Sequence, residues 1–375
     1  MNITFMFFVI LLFLYFVLFC VYLYSWHKIK TIDSVNYNDT VSVIIACRNE
    51  EKNVPKIVDC LKRQKFNNDK LELIFVNDHS EDKTLQLLIN EQKKCSFMRV
   101  INLSSSVEGK KNAVREGVFK SSGDIVLCTD ADCEMNSFWI QTMVNYFNNS
   151  NCRFISAPVV LNKKDSLFDI YQKLELLSLV TTSAAAIGLN MPTLCNGANL
   201  GFRRNDYLQI NPEEFKRFKT DDLSLLNYFK KNFFNSIFFV KDSNAIVYTS
   251  AQNSLNSYFS QKMRWISSAR YFNDLYIILK SLLVYTINLI ICYSIIQFIY
   301  FLFFNFNLFF SIFYLMVVIV KVVIDFFFLN NTLNFFKEIG LLKYLFPTVI
   351  INSIITTVIV PLSFICPLKW KGRKL

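Results

Sequence analysis

The sequence predicts an α/β domain set between membrane-spanning helices, and three observations support this fold class. Apolar residues concentrate in the first 26 residues and again after about Leu275, whereas the middle of the 375-residue chain has the mixed composition of a globular domain. Strand and helix patterns alternate through that middle part. Hydrophobic residues make up 53% of the chain and the mean hydropathy is +0.31, which few soluble proteins of this size reach.

The first apolar segment, from Ile3 to Trp26, has the length and composition of a transmembrane helix. It has no charged residue, no cationic start and no small-residue cleavage site, which distinguishes it from a signal peptide. His27, Lys28 and Lys30 follow directly. By the positive-inside rule, the chain after this span is then cytoplasmic and the N-terminus lies outside. We therefore assign residues 1–30 to a membrane anchor.

The central part, residues 38–274, alternates between buried strands and amphipathic helices. The predicted strands are 41–48, 71–78, 98–104 and 124–132, and the predicted helices are 50–64, 80–94 and 109–122. This order predicts a parallel, doubly wound sheet. Because ligands of such sheets bind at the carboxyl ends of the strands, we expect the functional site there.

Polar and acidic residues gather at those strand ends. They are Arg48, Asn49 and Glu50 after the first strand, Asn77 and Asp78 at the end of the second, and Asp130 and Asp132 at the end of the fourth. Two carboxylates one residue apart can hold a hard divalent cation, Mg²⁺ or Mn²⁺, that keeps open positions for diphosphate oxygens. We therefore expect Asp130 and Asp132 to hold a metal together with a diphosphate.

The C-terminal region, residues 275–375, predicts three further spans at about 281–304, 308–329 and 344–366. Four spans with the N-terminus outside place the C-terminus outside, yet the tail KWKGRKL has four basic residues and favours the inside. Either one apolar segment does not cross, or the last one turns back near Asn352 or Pro361. Lys321 and Asp325 lie one helical turn apart within a span, and we expect them to form a structural pair.

Composition excludes several classes of function. The net charge is +11 without a long Lys/Arg block, which favours contact with an anionic membrane surface over binding of nucleic acid. With only two histidines, a His-based zinc site or a Ser-His-Asp triad is nearly excluded. The ten cysteines form no C-x-x-C pair, which is typical of reduced thiols in a domain that faces the cytosol.

Seven short motifs occur in an order that resembles family 2 inverting glycosyltransferases of the GT-A fold. They are VSVIIACRNEEKN, FVNDHSEDKT, GKKNAVREGV, TDADCEM, CNGANLGFRR, KTDDLSL and QKMRW, and together they cover about residues 41–270. Each motif is weak alone, but seven in order are specific. The resemblance implies a Rossmann-like domain that binds a nucleotide sugar.

The resemblance also implies roles for individual residues. Asp222 would be the general base, with Asp221 as the second candidate, and Asp130 and Asp132 would hold the metal. The implied donor-binding residues are Arg48, Asn49, Glu50, Asn77, Asp78, Lys110, Asp130, Gln261, Arg264 and Trp265. Two positions depart from the family pattern. Many relatives have Asp where this chain has Asn77, and the family's T-E-D reads Thr220-Asp221-Asp222 here. The presence of Asn77 leaves open which nucleotide base the donor site prefers.

Several of these residues have structural explanations as well. Asp221 and Asp222 can cap the helix that follows them. Arg264 and Trp265 can anchor a helix at the membrane interface. Lys110 can be a solvated residue at a helix start. These alternatives stay open from the sequence.

The expected activity is inverting transfer of a sugar from a nucleoside-diphosphate sugar to a membrane-associated lipid or lipid-linked acceptor, with a divalent cation as cofactor. One alternative is a processive polysaccharide synthase of the same family. Another, of a different class, is a non-catalytic membrane assembly protein on a degenerate fold. We expect an integral protein of a bacterial inner membrane, with a cytoplasmic catalytic domain and no nucleic-acid partner.

Overall fold

The computed structural model describes residues 3–32, 39–162, 166–211, 213, 221–269, 273–365, 369–370 and 373–374. The helices are α1 Ile3–Lys28, α2 Val54–Lys62, α3 Thr84–Gln92, α4 Lys110–Lys120, α5 Trp139–Asn145, α6 Leu167–Gly188, α7 Arg204–Leu208, α8 Asp221–Asn232, α9 Leu255–Ala269, α10 Leu275–Phe303, α11 Leu308–Thr332 and α12 Leu345–Ile365. The strands are β1 Val41–Cys47, β2 Leu71–Asn77, β3 Met98–Asn102, β4 Ile125–Asp130, β5 Glu134–Met135, β6 Phe154–Ser156, β7 Val159–Leu161, β8 Asn199–Arg203, β9 Ile237–Phe239, β10 Val247–Thr249, β11 Lys369–Trp370 and β12 Arg373–Lys374.

The chain divides into two compact units. The sheet unit comprises residues 29–162 and 186–251, and the helical unit comprises residues 1–28, 163–185 and 252–375.

The sheet unit is built on a sheet that has seven strands over the described residues, in the order β3-β2-β1-β4-β8-β6-β9. Strands β1 to β4 run parallel, as the alternation of strands and helices predicts. Strand β8 is antiparallel to both β4 and β6. Because β1 pairs with β2 on one side and β4 on the other, the carboxyl ends of these three strands meet at one edge.

The core of this unit explains why the helices lie where they do. Val43, Ile44 and Ile45 of β1 are fully buried, each contributing about 1.5–3 kcal/mol by leaving water. Helix α4 packs very close to this strand at Gly117, where a Cβ would lie 2.6 Å from Cγ2 of Ile44. This close packing fixes α4 on the sheet, with Lys110 at its first position.

A smaller sheet, in the order β5-β10-β7, extends the region after β4. Strand β10 pairs antiparallel with β5, so that Tyr248 lies opposite Glu134. It also pairs parallel with β7. The pairing brings Thr249, at the end of β10, next to Asp132, which lies just before β5.

The helical unit has four helices that are long and apolar enough to cross a membrane, within its described residues. They cover Phe5–Lys28, Leu275–Phe303, Leu308–Thr332 and Ile339–Ile365. The first three share an apolar core that includes Leu12, Ile291 and Val317. The predicted spans are therefore present as helices, and the second begins six residues earlier than expected.

Helix α12 bears on the conflict about the C-terminal tail. It runs without interruption from Leu345 to Ile365, with Asn352 and Pro361 inside it. This is evidence against a reversal of the chain near either residue. The side of the membrane on which the tail lies stays a prediction.

The two charged residues within α11 pair as expected. Nζ of Lys321 lies 2.5 Å from Oδ2 of Asp325, and the Lys321 side chain is only 4% exposed. The hydroxyl of Tyr15 on α1 donates to Oδ1 of Asp325 at 2.8 Å. The carboxylate is therefore held by an ammonium and a hydroxyl, and this contact joins α1 to α11.

Candidate active site

The loops that follow β1 and β2 are tied together by Arg48. Its guanidinium is 8% exposed and donates to the backbone carbonyls of Asp78 and His79, at 3.1 and 3.3 Å. It also reaches Oε1 of Glu81 at 3.4 Å. In the described structure Arg48 thus contacts protein groups, and it fixes the position of the second loop relative to the first.

Asn49 and Glu50 extend this connection between the loops. Asn49 has a φ of 53°, in the left-handed region that Asn tolerates better than most residues. Its side chain accepts from the Glu81 N–H at 2.9 Å, and its own N–H donates to Ser80 Oγ at 3.1 Å. The Glu50 N–H donates to Thr84 Oγ1 at 2.7 Å. Arg48, Asn49 and Glu50, which the resemblance implies as donor-binding residues, are therefore held by hydrogen bonds to the loop after β2.

Asp78 is the most deeply buried of the predicted donor-binding acids, at 1% exposure. Its Oδ2 accepts from the Gly109 N–H at 3.1 Å, and its Oδ1 lies 3.1 Å from Nδ1 of His79. Gly109 has a φ of 96° and directly precedes α4, so this conformation favours glycine. Asp78 therefore joins the β2 end to the α4 start. The ring of His79 makes a polar contact with Asp78 here.

Asn77 has its amide directed at protein neighbours. It is buried, its Nδ2 donates to Oδ1 of Asn102 at 2.6 Å, and its Oδ1 accepts from the Ser80 N–H at 3.4 Å. These contacts give Asn77 a positioning role beside Asp78. A direct contact between Asn77 and a nucleotide base stays a prediction.

Lys110 and the two acids after β4 form the polar centre of the site. Nζ of Lys110 lies 2.5 Å from Oδ1 of Asp130, and both side chains are about one third exposed. Asp132 accepts from Thr249 Oγ1 at 2.9 Å. Burial raises the pKa of Asp132, and the negative charge of Asp130 raises it further. Lys110 is therefore part of the site and not only a solvated residue at a helix start.

The acids at the end of β4 suit a divalent cation. Within the part of the chain that the structure describes, no group of three or more His, Cys, Asp or Glu side chains could hold a metal by itself. Asp130 and Asp132 supply two hard carboxylate ligands, and Glu50 lies near enough to raise the pKa of Asp132. Mg²⁺ usually binds through one or two carboxylates plus phosphate oxygens and water. The donor set therefore fits such a metal bound together with a diphosphate.

Asp222, near the start of α8, faces the same centre. Its Oδ2 accepts from the Gly197 N–H at 3.2 Å and its Oδ1 from the Leu223 N–H at 2.8 Å. A Cβ at Gly197 would lie 3.5 Å from Oδ2 of Asp222 and 3.5 Å from Nζ of Lys110. Asp222 and Lys110 therefore both lie beside Gly197, and Lys110 in turn pairs with Asp130.

The other predicted acid at the start of α8 is Asp221. Asp221 is the first helical residue, and its side chain lies outside the described residues, as does Thr220. Asp222 bonds the N–H of the next residue, so a contribution to the helix start is compatible with a catalytic role.

Gln261, Arg264 and Trp265 lie on α9 in the helical unit. Their spacing of three and four residues places them on one side of that helix. Ser254 accepts the Ser257 N–H at 3.2 Å, which caps the helix start. The other predicted site residues all belong to the sheet unit.

Sequence reasoning missed Thr249, the hydrogen-bond donor to Asp132. The two residues are 117 positions apart, and Thr249 lies in a three-residue strand. The sequence has no signal for this pair, because only the pairing of β5 with β10 brings them together.

Comparison with known proteins finds a family match in the first part of the chain. Residues 42–208 match the family model described as glycosyl transferase family 2. We call this matched segment the family 2 domain. The family 2 domain includes the strand-end residues and the acids after β4, whereas Asp222 and the motif on α9 follow it in the chain.

Curated relatives align with parts of the chain. Poly-beta-1,6-N-acetyl-D-glucosamine synthase of Staphylococcus aureus is 26% identical over 158 residues, which cover 42% of this chain and 37% of the relative. Probable glycosyltransferase YdaM of Bacillus subtilis is 31% identical over 94 residues, which cover 24% of this chain and 22% of the relative. The alignments thus span well under two thirds of either relative.

A solved structure resembles the chain over most of its length. The mannosyltransferase PcManGT from Pyrobaculum calidifontis, in complex with GDP-Man and Mn²⁺, gives a TM-score of 0.56 at 14% identity, covering 92% of this chain and 95% of that one. Together with the family match, this likeness confirms the GT-A-like α/β fold expected from the sequence.

Proposed function

We propose that this protein transfers a sugar, with inversion, from a nucleoside-diphosphate sugar to a membrane-associated lipid or lipid-linked acceptor. The observation that carries this proposal is the approach of Asp222 and Lys110 to Gly197, together with the ion pair of Lys110 with Asp130. It supports the proposal because sugar transfer needs a base, a cation and a metal ligand, and these residues are candidates for the three.

The donor side of the reaction depends on the strand ends. Asp78 and the segment around Asn49 form the rigid frame for the nucleoside. Asp130 and Asp132 would hold a divalent cation, which when bound neutralises charge on the departing diphosphate. Lys110, beside Asp130, adds a positive charge at the same place, where a partly desolvated site strengthens its effect.

The acceptor side depends on Asp222. Its carboxylate is oriented by the N–H groups of Gly197 and Leu223. It would take the proton of the acceptor hydroxyl as that oxygen attacks the anomeric carbon. A positioned base of this kind typically contributes about 10²–10⁴-fold to the rate. One displacement with one base inverts the anomeric centre.

A membrane-associated acceptor is supported by the four apolar helices of the helical unit. Nucleotide sugars are made in the cytosol, so we place the family 2 domain on the cytoplasmic side of a bacterial inner membrane. The basic residues Lys28 and Lys30, after the first span, support this orientation.

A processive polysaccharide synthase is the second candidate. It is favoured by the alignment with the Staphylococcus aureus synthase, whose name describes a polymer product. We prefer a lipid or lipid-linked acceptor because four apolar helices are few for a polymer channel.

The deciding experiment uses the purified chain in detergent with native lipid extract. A panel of radiolabelled nucleotide sugars is supplied with Mn²⁺ or Mg²⁺, and products are separated by solvent extraction and by size. Label in the organic phase supports the lipid acceptor, and label in high-mass material supports the synthase. Nucleotide binding without transfer from any donor would contradict both and favour a non-catalytic assembly protein.

A further inference from the structure

A chain of polar contacts joins α6, α9 and α12 inside the helical unit. Nζ of Lys262 on α9 lies 2.7 Å from Oε2 of Glu175 on α6. The Tyr258 hydroxyl, one turn earlier on α9, donates to the same oxygen at 2.7 Å. The Tyr171 hydroxyl lies 2.9 Å from that of Tyr258 and 3.4 Å from Oδ1 of Asn352 on α12. The contacts thus run from a candidate membrane span to the helix that carries the Q-x-x-R-W motif.

The direction of these hydrogen bonds follows from the chemistry of the groups. A carboxylate only accepts, so Tyr258 donates its proton to Glu175 and accepts the single proton of Tyr171, whose longer approach to Oδ1 of Asn352 is then a contact without a shared proton. Burial and the nearby Glu175 charge raise the pKa of Tyr258 well above its usual value, so it keeps its proton at neutral pH. The carboxylate is therefore held by one hydroxyl and one ammonium in a fixed arrangement.

Lys262 also contacts the ring of Trp265. Its ammonium lies 4.7 Å from the centroid of the Trp265 ring and 5.4 Å from that of Tyr258. These three residues are spaced four and three apart, so they share one side of α9. The exposed fractions of the Lys262 and Glu175 side chains are 9% and 15%. A buried ion pair adds little net stability, because desolvation offsets the attraction. The pair is therefore better explained by the position that it imposes on the Lys262 ammonium.

We propose that Glu175 is a positioning residue for the Q-x-x-R-W motif, and that it acts by holding Lys262 against the indole of Trp265. The inference rests on the proposed function and on the donor-binding role that the family resemblance implies for Gln261, Arg264 and Trp265. Without the carboxylate, the ammonium turns towards other acceptors and the indole loses the cation that fixes its ring. A misplacement of about 1 Å at such a group can cost about 10²-fold in rate.

The first test does not depend on activity. The chain is labelled with 5-fluorotryptophan, and the ¹⁹F resonance of Trp265 is assigned by its loss in Trp265→Phe. We expect Glu175→Gln and Lys262→Met to shift this resonance. The matched control is Lys173→Met, which breaks another buried ion pair of α6, that of Lys173 with Glu338 at 2.5 Å. It should leave the Trp265 resonance in place. An unshifted resonance in Glu175→Gln, or an equal shift in the control, would overturn the proposal.

The second test uses turnover. We expect Glu175→Gln to lower kcat by about 10- to 100-fold, and the double variant Glu175→Gln/Lys262→Met to lose no more than the worse single variant. In a Trp265→Phe background, Glu175→Gln should have little further effect. Independent, multiplying losses would indicate a general structural role and contradict the proposal. If the wild-type chain transfers no sugar, the proposed function fails, and the ¹⁹F shift still decides whether Glu175 positions Trp265.

Discussion

Replacing Asp222 with Asn should lower the catalytic rate strongly and the stability of the protein only slightly. The carboxylate that we propose as proton acceptor is lost, while the shape of the side chain is kept. A base of this kind contributes about 10²–10⁴-fold, so kcat should fall by that factor, which corresponds to about 3–5 kcal/mol in the barrier.

The effect on stability is worked from the two hydrogen bonds of the carboxylate. In the wild type, Gly197 and Leu223 each donate an N–H to one oxygen of Asp222. Asn has one acceptor oxygen and one NH₂ group, so one of the two N–H donors meets a donor and loses its partner. An unsatisfied buried N–H costs about 1–3 kcal/mol, and in this part-buried site we expect about 1 kcal/mol. The variant should therefore stay folded.

The assay compares initial rates at saturating donor with nucleotide-diphosphate binding by calorimetry and with thermal unfolding. We expect the rate to collapse, the affinity to stay within about two-fold and the melting temperature to drop by a few degrees. Asp221→Asn serves as the control variant and should retain most activity. A wild-type rate in Asp222→Asn would refute the reasoning, and a collapse in Asp221→Asn instead would move the base to the neighbouring residue.

Three further predictions concern the metal, the membrane region and acid stability. Asp132→Asn should abolish the dependence of nucleotide binding on Mn²⁺, measured by calorimetry with and without chelator, whereas Asp124→Asn at the other end of β4 should leave that dependence intact. Lys321→Met should destabilise the protein by about 3–5 kcal/mol in denaturant titrations, since it leaves Asp325 buried and unpaired, and Lys321→Met/Asp325→Leu should recover most of the loss. Burial raises the pKa of Glu72, but hydrogen bonds from a serine hydroxyl and two backbone N–H groups lower it more, so its net pKa lies below the usual value. Its contribution to stability is thus present above about pH 4.3, the unfolded value, and is lost as pH falls through the folded value. Glu72→Gln should flatten the decline in melting temperature below that pH, and an unchanged decline would contradict the role of Glu72.

The first four strands and three helices of the sheet unit could be predicted from the sequence because each has a clear period. Strand β1 is buried almost throughout, which a run of seven largely apolar residues indicates. Likewise, the placement of Asp130 at a strand end followed directly from the chain order of the elements. The apolar helices were visible from composition alone.

The second half of the sheet unit could not be predicted in the same way. Strands β6, β7, β9 and β10 have three residues each, too few for a period to show. The contact of Lys110 with Asp130 and the approach of Lys110 to Gly197 depend on how α4 packs on the sheet. Glu175 and Lys262 are 87 residues apart in the chain and lie on two different helices, so no local sequence pattern predicts their ion pair.

The contact of Tyr15 with Asp325 has a consequence for biogenesis. A charged side chain at the centre of a helix costs about 2.5–3.5 kcal/mol when a translocon inserts that helix into a bilayer. Lys321 and Asp325 lie one turn apart on α11, so they can enter as a neutral pair and lower that cost. Helix α1 is synthesised first, and the Tyr15 hydroxyl is therefore already at membrane depth when α11 arrives. We therefore expect the N-terminal helix to act as an assembly partner for the charged pair of α11 during synthesis, besides any role as an anchor.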